Sequence, residues 1–279
     1  MCVHPEGRGF GARITGIDLT QPLKEAEVTA LRNAWLDHQV VCVAEQKLTP
    51  AELAHVARYF GDPCSEPFVQ PIAQNPQVVE VRREPDETAI PFGSSWHSDW
   101  SFLPRPPSAT LLAAKTLPPY GGDTLFADAC RAWTTLPSAL KNRLQGILAL
   151  HSARRAYTPE SYRAAGGDER SMHIEPSDQA WAVQKHPVVR IHPETGREVL
   201  WINPVYTIGL SDTPKEEADA ILRCAYEHLL DKDHLYRHRW RANDLVIWDN
   251  RSVLHCAQGG YDGHLRIMHR ATVAGEQPV

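Results

Sequence analysis

The strongest constraint on this chain is a pair of metal-ligand segments that lie far apart in sequence. In Ser95-Trp96-His97-Ser98-Asp99-Trp100-Ser101-Phe102, an imidazole and a carboxylate stand two positions apart in an aromatic stretch that reads as a strand. Residues i and i+2 of a strand share a face, so His97 and Asp99 converge on one point while Trp96, Ser98 and Trp100 face away. The best third ligand is His255, in Trp248-Asp249-Asn250-Arg251-Ser252-Val253-Leu254-His255, 156 residues beyond Asp99. Two histidines and one carboxylate on one face of a metal, with the other positions open, are the ligand set of non-haem Fe(II) oxygenases. Such a site requires a fold that brings the two segments together.

The texture of the chain supplies one. Residues 7–19, rich in glycine, hold one or two short strands. Across 23–38, Val28, Leu31 and Trp35 recur at helical spacing and predict a helix with one buried face. Val40-Val41-Cys42-Val43 reads as a buried strand. Thr49-Pro50-Ala51-Glu52 offers an N-cap, a proline at the first helical position and a glutamate three residues after the cap, so a second helix is expected, with Gly61 as its stop. Beyond Gly61 come short apolar or alternating runs broken by proline and glycine: 78–81, 109–115, 124–127, 187–191, 199–202, 236–240, 244–248, 252–256 and 265–273. Repeated short strands with turn punctuation indicate a sandwich or jelly roll.

Two helices interrupt this pattern. One is expected within 137–150 from Leu140, Leu144, Ile147 and Leu148, ending near Gly146; the other opens at Thr213-Pro214-Lys215-Glu216. Between them, 158–179 is polar and without period, and so long a loop in a compact domain is functional or disordered. A lid-like insert around 158–185, over the site, is the expectation. The fold class is therefore mainly β with flanking α-helices, with 1–279 as one domain.

Composition excludes several partners. A net charge of −5 with 23% charged residues gives no electrostatic bias toward nucleic acid or membranes. No stretch has the makings of a secretory signal or a transmembrane span. A cytoplasmic homo-oligomer acting on a small-molecule substrate is expected. The six cysteines form no C-x-x-C pair and receive no catalytic role.

Other residues extend the metal reading. Gly121-Gly122-Asp123-Thr124-Leu125 is a turn leading into a strand with a hydroxyl near its start, and Arg266 lies 11 residues beyond His255. An Fe(II) facial triad that activates O2 needs two further electrons, which 2-oxoglutarate supplies. The distal carboxylate of 2-oxoglutarate then needs a fixed partner, and arginine's bidentate fork is the best available group.

Taken in order, Trp96-His97-Ser98-Asp99, Gly121-Gly122-Asp123-Thr124-Leu125, Trp248-Asp249-Asn250-Arg251 with His255, and Arg266-Ile267-Met268-His269-Arg270-Ala271-Thr272 resemble the motifs of the taurine and 2,4-dichlorophenoxyacetate dioxygenase (TauD/TfdA) family. The likeness runs from about Gly9 to the C-terminus. It implies a double-stranded β-helix in which His97, Asp99 and His255 bind Fe(II), and Thr124 and Arg266 hold the distal carboxylate of 2-oxoglutarate. Arg270 is then placed beside the iron, near the C1 carboxylate of 2-oxoglutarate or an anionic group of the substrate. The implied reaction is hydroxylation, with C–S or C–O cleavage where the hydroxylated carbon bears a heteroatom, releasing succinate and CO2.

The substrate residues depart from the family pattern. Taurine dioxygenase places a histidine on the sulfonate shortly after the Phe-Gly of its second helix, where this chain has Glu66. A carboxylate there repels a sulfonate, so taurine is not the expected substrate and a molecule with an amine or other donor is. Gln70, Ser95 and Tyr206 join Glu66 and Arg270 as candidate substrate-binding residues. Asp249 and Arg251 are expected to pair with each other, Trp240 and Trp248 to be core, and the His234, His238 and Arg237-to-Arg241 cluster to be a solvated strand face. A metal-dependent isomerase or hydrolase on the same jelly roll, or a non-catalytic metal-binding protein, is the alternative.

Overall fold

The computed structural model describes residues 1–7 and 9–279; Arg8, inside the glycine-rich stretch, lies outside the described residues. Alternation along the central strands explains how one chain fills two cores. Val41, Val43, Leu111, Leu245 and Ile247 point to one side of the larger sheet, where they meet Leu31 and Trp35 of the helix Glu25–His38 and Leu53 and Val56 of the helix Pro50–Ala57. Their neighbours Val40, Cys42, Val246 and Trp248 point the other way, onto Phe126, Tyr236 and Val253 of a second sheet. A strand buried on both faces reads as a continuous apolar run, as Val40–Val43 does.

The larger sheet has eight strands: Cys2–Pro5, Ala12–Thr15, Val40–Val43, Leu245–Asp249, Ala109–Thr116, Arg266–Val273 and Pro63–Cys64 in spatial order, with Val79–Arg83 also paired to Arg266–Val273. The facing sheet is Leu235–His238, Thr124–Asp128 and Val253–Ala257, all antiparallel. The two form a jelly roll with the helices on its outer face. A third core joins the helices Ala129–Thr135 and Lys215–Leu229 to the smaller sheets. No helix among the described residues is long and apolar enough to cross a membrane.

Local chemistry accounts for the matches and the differences. Thr49 caps its helix as expected: its Oγ1 accepts from Glu52 N at 3.3 Å, and Glu52 Oε2 accepts from Thr49 N at 2.6 Å. That helix ends at Ala57 rather than Gly61, whose role is close packing, since a Cβ there would sit 2.9 Å from Val273. The helix expected within 137–150 covers only Ser138–Leu144; Gly146, at φ +78°, turns the chain, and Leu148 opens a strand, Leu148–His151. The helix Ala129–Thr135 was not anticipated, although Asp128 is its N-cap, accepting from Arg131 N at 2.9 Å. The 158–185 segment is not structureless: it holds the helix Pro159–Ala164 and two short 3-10 turns.

Removing the Thr49 hydroxyl tests the cap. Thr49→Ala should cost about 0.5–2 kcal/mol, seen as a lower urea midpoint with unchanged slope. Wild-type stability would contradict it.

Candidate active site

The two distant histidines meet through their backbones. His97 N donates to His255 O at 3.1 Å and His255 N to His97 O at 2.8 Å, a single reciprocal bridge between the H-x-D segment and the strand Val253–Ala257. The H-x-D stretch is thus not the regular strand read from its sequence: after this bridge it turns at Asp99 and Trp100, the latter at φ +46°. The two side chains still converge. One ligand atom from each of His97, Asp99 and His255 lies within 4.8 Å of the others, and all three residues are buried. Asp99 Oδ1 is 3.5 Å from His97 Nε2 and 3.6 Å from His255 Nε2.

Neighbouring groups fix the donors. His97 Nδ1 donates to the Ser95 carbonyl at 2.7 Å, which fixes the ring with Nε2 aimed at the centre. Burial, followed by His97, pushes the His255 pKa well below its ordinary value, which favours the neutral ring there. Burial alone would raise Asp99, but Arg270, His255 and His97 hold it well below the usual carboxylate range. Thr110 Oγ1 donates to Asp99 Oδ2 at 2.6 Å and accepts from Asn250 Nδ2 at 2.8 Å; Trp248 Nε1 in turn donates to Asn250 Oδ1 at 2.9 Å. Thr110 and Asn250 were missed from sequence. The only signal was a hydroxyl in the otherwise apolar start of the strand Ala109–Thr116. Two imidazoles and an oriented carboxylate suit a divalent cation.

Arg266 and Arg270 are four apart on one strand and so share its inner face, but their charges are treated differently. Arg266 is buried without a carboxylate partner among the described residues: Nη2 donates to Gly122 O, at 3.3 Å, and Nε has no acceptor there. Desolvation lowers its pKa. A buried guanidinium without a counter-ion is costly unless a ligand anion completes it. Gly122 permits this approach, since a Cβ there would lie 3.2 Å from Arg266 Nε. Thr124 Oγ1 accepts from Trp240 Nε1 at 3.0 Å, which leaves its own proton for a ligand, and Trp240 and Tyr261 flank the guanidinium at 6.0 and 5.8 Å. Trp240 therefore belongs to this pocket rather than to plain core. The arrangement fits the carboxylate of a dicarboxylic acid such as 2-oxoglutarate.

Arg270, by contrast, is already paired. Its Nε donates to Glu66 Oε1 at 2.7 Å, and Nη2 lies 3.0 Å from Asp99 Oδ1. Burial works against the Arg270 charge, yet Asp99 and Glu66 outweigh it and raise its pKa. Glu66 does point inward, with Oε1 on Arg270 and Oε2 buried without a hydrogen-bond partner among the described residues, so it meets the interior as a paired carboxylate rather than a bare one. Nor does Gln70 line the pocket: it is exposed and donates to Glu175 Oε1 at 2.6 Å. Ser95 and Tyr206, with His97 and Tyr157, do line a cavity of about 370 Å³.

Asp249 and Arg251 pair as expected, through Nε–Oδ1 and Nη2–Oδ2 bonds of 2.8 Å each, joined by His192 at 2.9 Å from Oδ2. The His238 region is a correction. His234 and His238 are buried, and His238 converges with Cys42 and Asp244. Arg13 donates to Asp244 at 2.6 Å and to Cys42 Sγ at 3.4 Å, so a cation already occupies that cluster.

Comparison with known proteins gives a consistent result. A model of the family described as "Taurine catabolism dioxygenase TauD, TfdA family" matches residues 3–272. An alpha-ketoglutarate-dependent sulfate ester dioxygenase of Pseudomonas putida is 30% identical over 285 residues, covering 99% of this chain and 90% of the relative. The alpha-ketoglutarate-dependent 2,4-dichlorophenoxyacetate dioxygenase of Cupriavidus pinatubonensis is 30% identical over 287 residues, covering 97% and 96%. The crystal structure of a taurine dioxygenase from Burkholderia xenovorans matches with a TM-score of 0.83 at 29% identity, covering 100% of this chain and 90% of that one.

Arg251→Ala would strand Asp249 in the interior. A loss of about 3–5 kcal/mol in urea unfolding is expected, and a loss below about 1 kcal/mol would contradict the pairing as a structural necessity.

Proposed function

Because this chain belongs to the TauD/TfdA dioxygenase family, we propose that His97, Asp99 and His255 hold its Fe(II) and that Arg266, with Thr124, holds the distal carboxylate of its 2-oxoglutarate. The protein is an Fe(II)- and 2-oxoglutarate-dependent dioxygenase with a small-molecule substrate. The observation that carries the residue assignment is the buried Arg266, without a counter-ion among the described residues, in the same barrel interior as three converging metal-competent side chains.

Bound together, iron and 2-oxoglutarate supply the oxidation, with one oxygen of O2 passing to succinate and the other to a substrate C–H carbon as CO2 leaves. The chain's own residues hold and orient. His97 and His255 present ring nitrogens, Thr110 fixes Asp99, and Arg266 fixes the far end of 2-oxoglutarate. Tyr157 and Tyr206, both buried, keep water from the metal face. The 158–185 segment is read as a lid, since Tyr162, Arg170 and Ile174 close the cavity from its outer side. A single domain and a cytoplasmic homo-oligomer complete the proposal. Where the oxidised carbon bears sulfur or oxygen, the product breaks at that bond.

His97→Ala, Asp99→Ala and His255→Ala should each lose stoichiometric Mn(II) or Fe(II) binding while keeping the wild-type far-UV spectrum, because the sheets rather than the metal hold the cores. Full iron-dependent turnover by any of them would sink the triad. Arg266→Ala should weaken 2-oxoglutarate binding by about 2–5 kcal/mol, against about 0.5–1.5 for Thr124→Ala. Unchanged affinity in Arg266→Ala would transfer the anchor to Arg270.

Taurine should be a poor substrate, since Glu66 already neutralises the arginine nearest the metal. Glu66→Gln frees Arg270 and should raise taurine-dependent succinate release. Brisk release by the wild type would refute this account of selectivity.

A further inference from the structure

The cavity that reaches His97 carries fixed charge of one sign only. Its wall is largely apolar, with Phe92, Tyr157, Tyr162, Ile174, Val205 and Tyr206. Among the described residues, the only arginines or lysines on it are Arg155 and Arg170, and no carboxylate lines it. Cavities of this composition enclose an apolar body and use a few polar groups to fix its direction.

Both arginines are available. Arg155 Nη1 donates to the carbonyls of Pro204 and Thr207, at 2.9 Å each, which anchors the guanidinium and leaves its other N–H groups for a ligand. Its side chain is exposed, at the mouth. Arg170 is half-buried, and although its backbone N–H donates to Gly167 O, its guanidinium has no hydrogen bond or ion pair among the described residues. Of the carboxylates that share an adjoining surface groove with it, Glu169 bonds Thr88, Glu87 bonds Ser171, Glu84 pairs with Arg82 and Asp168 lies beside Arg163, while Asp86 stands on the groove and not on the cavity wall. The charge of the inner guanidinium, Arg270, is offset by Glu66, bonded to its Nε, and by Asp99, 3.0 Å from its Nη2. A substrate anion therefore gains more at the mouth than at the metal, because an arginine without a partner can give its full fork to an oxyanion.

We infer that an amphipathic anionic substrate binds in this chain with its charge outermost, on Arg155 and Arg170, and its apolar end toward His97 and Tyr206. Oxidation then falls on a carbon remote from the anion. There a C–H bond gives way to C–OH; O2 provides the oxygen, and 2-oxoglutarate, oxidised to succinate and CO2, provides the two electrons. The bond from carbon to the anionic group stays intact. This rests on the dioxygenase site proposed above, and it differs from a site in which an anion beside the metal directs oxidation to the adjacent carbon.

Anaerobic calorimetry on the full chain with Mn(II) and 2-oxoglutarate, using hexyl sulfate and neutral hexanol as probes, tests the inference. Hexyl sulfate should bind more tightly than hexanol. Arg155→Gln and Arg170→Gln should each weaken hexyl sulfate about tenfold or more and leave hexanol unchanged, the expected effect of losing a hydrogen bond to a charged group. Arg155→Lys, which keeps the charge, should recover part of the loss. Under air with Fe(II), hydroxyhexyl sulfate should form with little free inorganic sulfate. Wild-type hexyl sulfate affinity in both glutamine variants, or one sulfate released per succinate, would overturn the orientation. Arg170 also borders the crevice beside Arg266, so a fall in 2-oxoglutarate affinity in Arg170→Gln would assign it to the cosubstrate and overturn its role here. The wild type's own binding of 2-oxoglutarate separates the two levels. If that fails, the dioxygenase site fails and this inference with it; if it holds while anion selectivity is absent, only the inference fails.

Discussion

The site depends on two backbone hydrogen bonds between His97 and His255. They join residues from opposite ends of the β-region, bring the two imidazoles to a 4.2 Å centroid separation, and set where Asp99 falls two residues later. The strand carrying His255 is in turn registered against Thr124–Asp128, with Ala257 opposite Thr124 and His255 opposite Phe126. The same register that places a metal-competent ring therefore places the hydroxyl beside the Arg266 pocket. A one-residue slip would turn His255 toward the other face of its strand, and neither pocket would exist.

Charge is distributed unevenly along the strand Arg266–Val273. Arg270 meets two carboxylates, Glu66 and Asp99, while Arg266 meets none among the described residues. A buried ion can be tolerated when it is paired, and becomes a recognition site when it is not. That contrast is the ground for the different roles proposed for the two arginines. It also changes what Glu66 means: a lone carboxylate would repel an anion directly, whereas a paired one acts by making Arg270 unavailable. In the proposed site, selectivity would then rest on neutralisation rather than repulsion.

Much of this was legible in the sequence, for identifiable reasons. The Thr49 capping box and the continuous apolar run at Val40–Val43 are local signals, and local structure obeys them. The i, i+2 convergence of His97 and Asp99 survives even though the segment turns instead of extending, because the single bridge at His97 is enough to set the side-chain direction. What was illegible depends on tertiary partners. Nothing near Glu66 announces Arg270, which is 204 residues away in sequence. Thr110 and Asn250 look like ordinary strand and turn residues until Asp99 is brought against them. His238 lies in a basic stretch that resembles a solvated face, yet Asp244 and Arg13 draw it inside. Gln70, a candidate substrate residue from sequence, is held outside by Glu175.

The central claim is that the triad and Arg266 form one unit that binds iron and 2-oxoglutarate together. The anaerobic absorption spectrum of the protein with Fe(II), recorded before and after addition of 2-oxoglutarate, tests it most directly. A visible metal-to-ligand charge-transfer band should appear in the wild type, be absent in Asp99→Ala, and require far more 2-oxoglutarate in Arg266→Ala. A wild type without the band, or an Asp99→Ala protein that shows it at full intensity, would contradict the account.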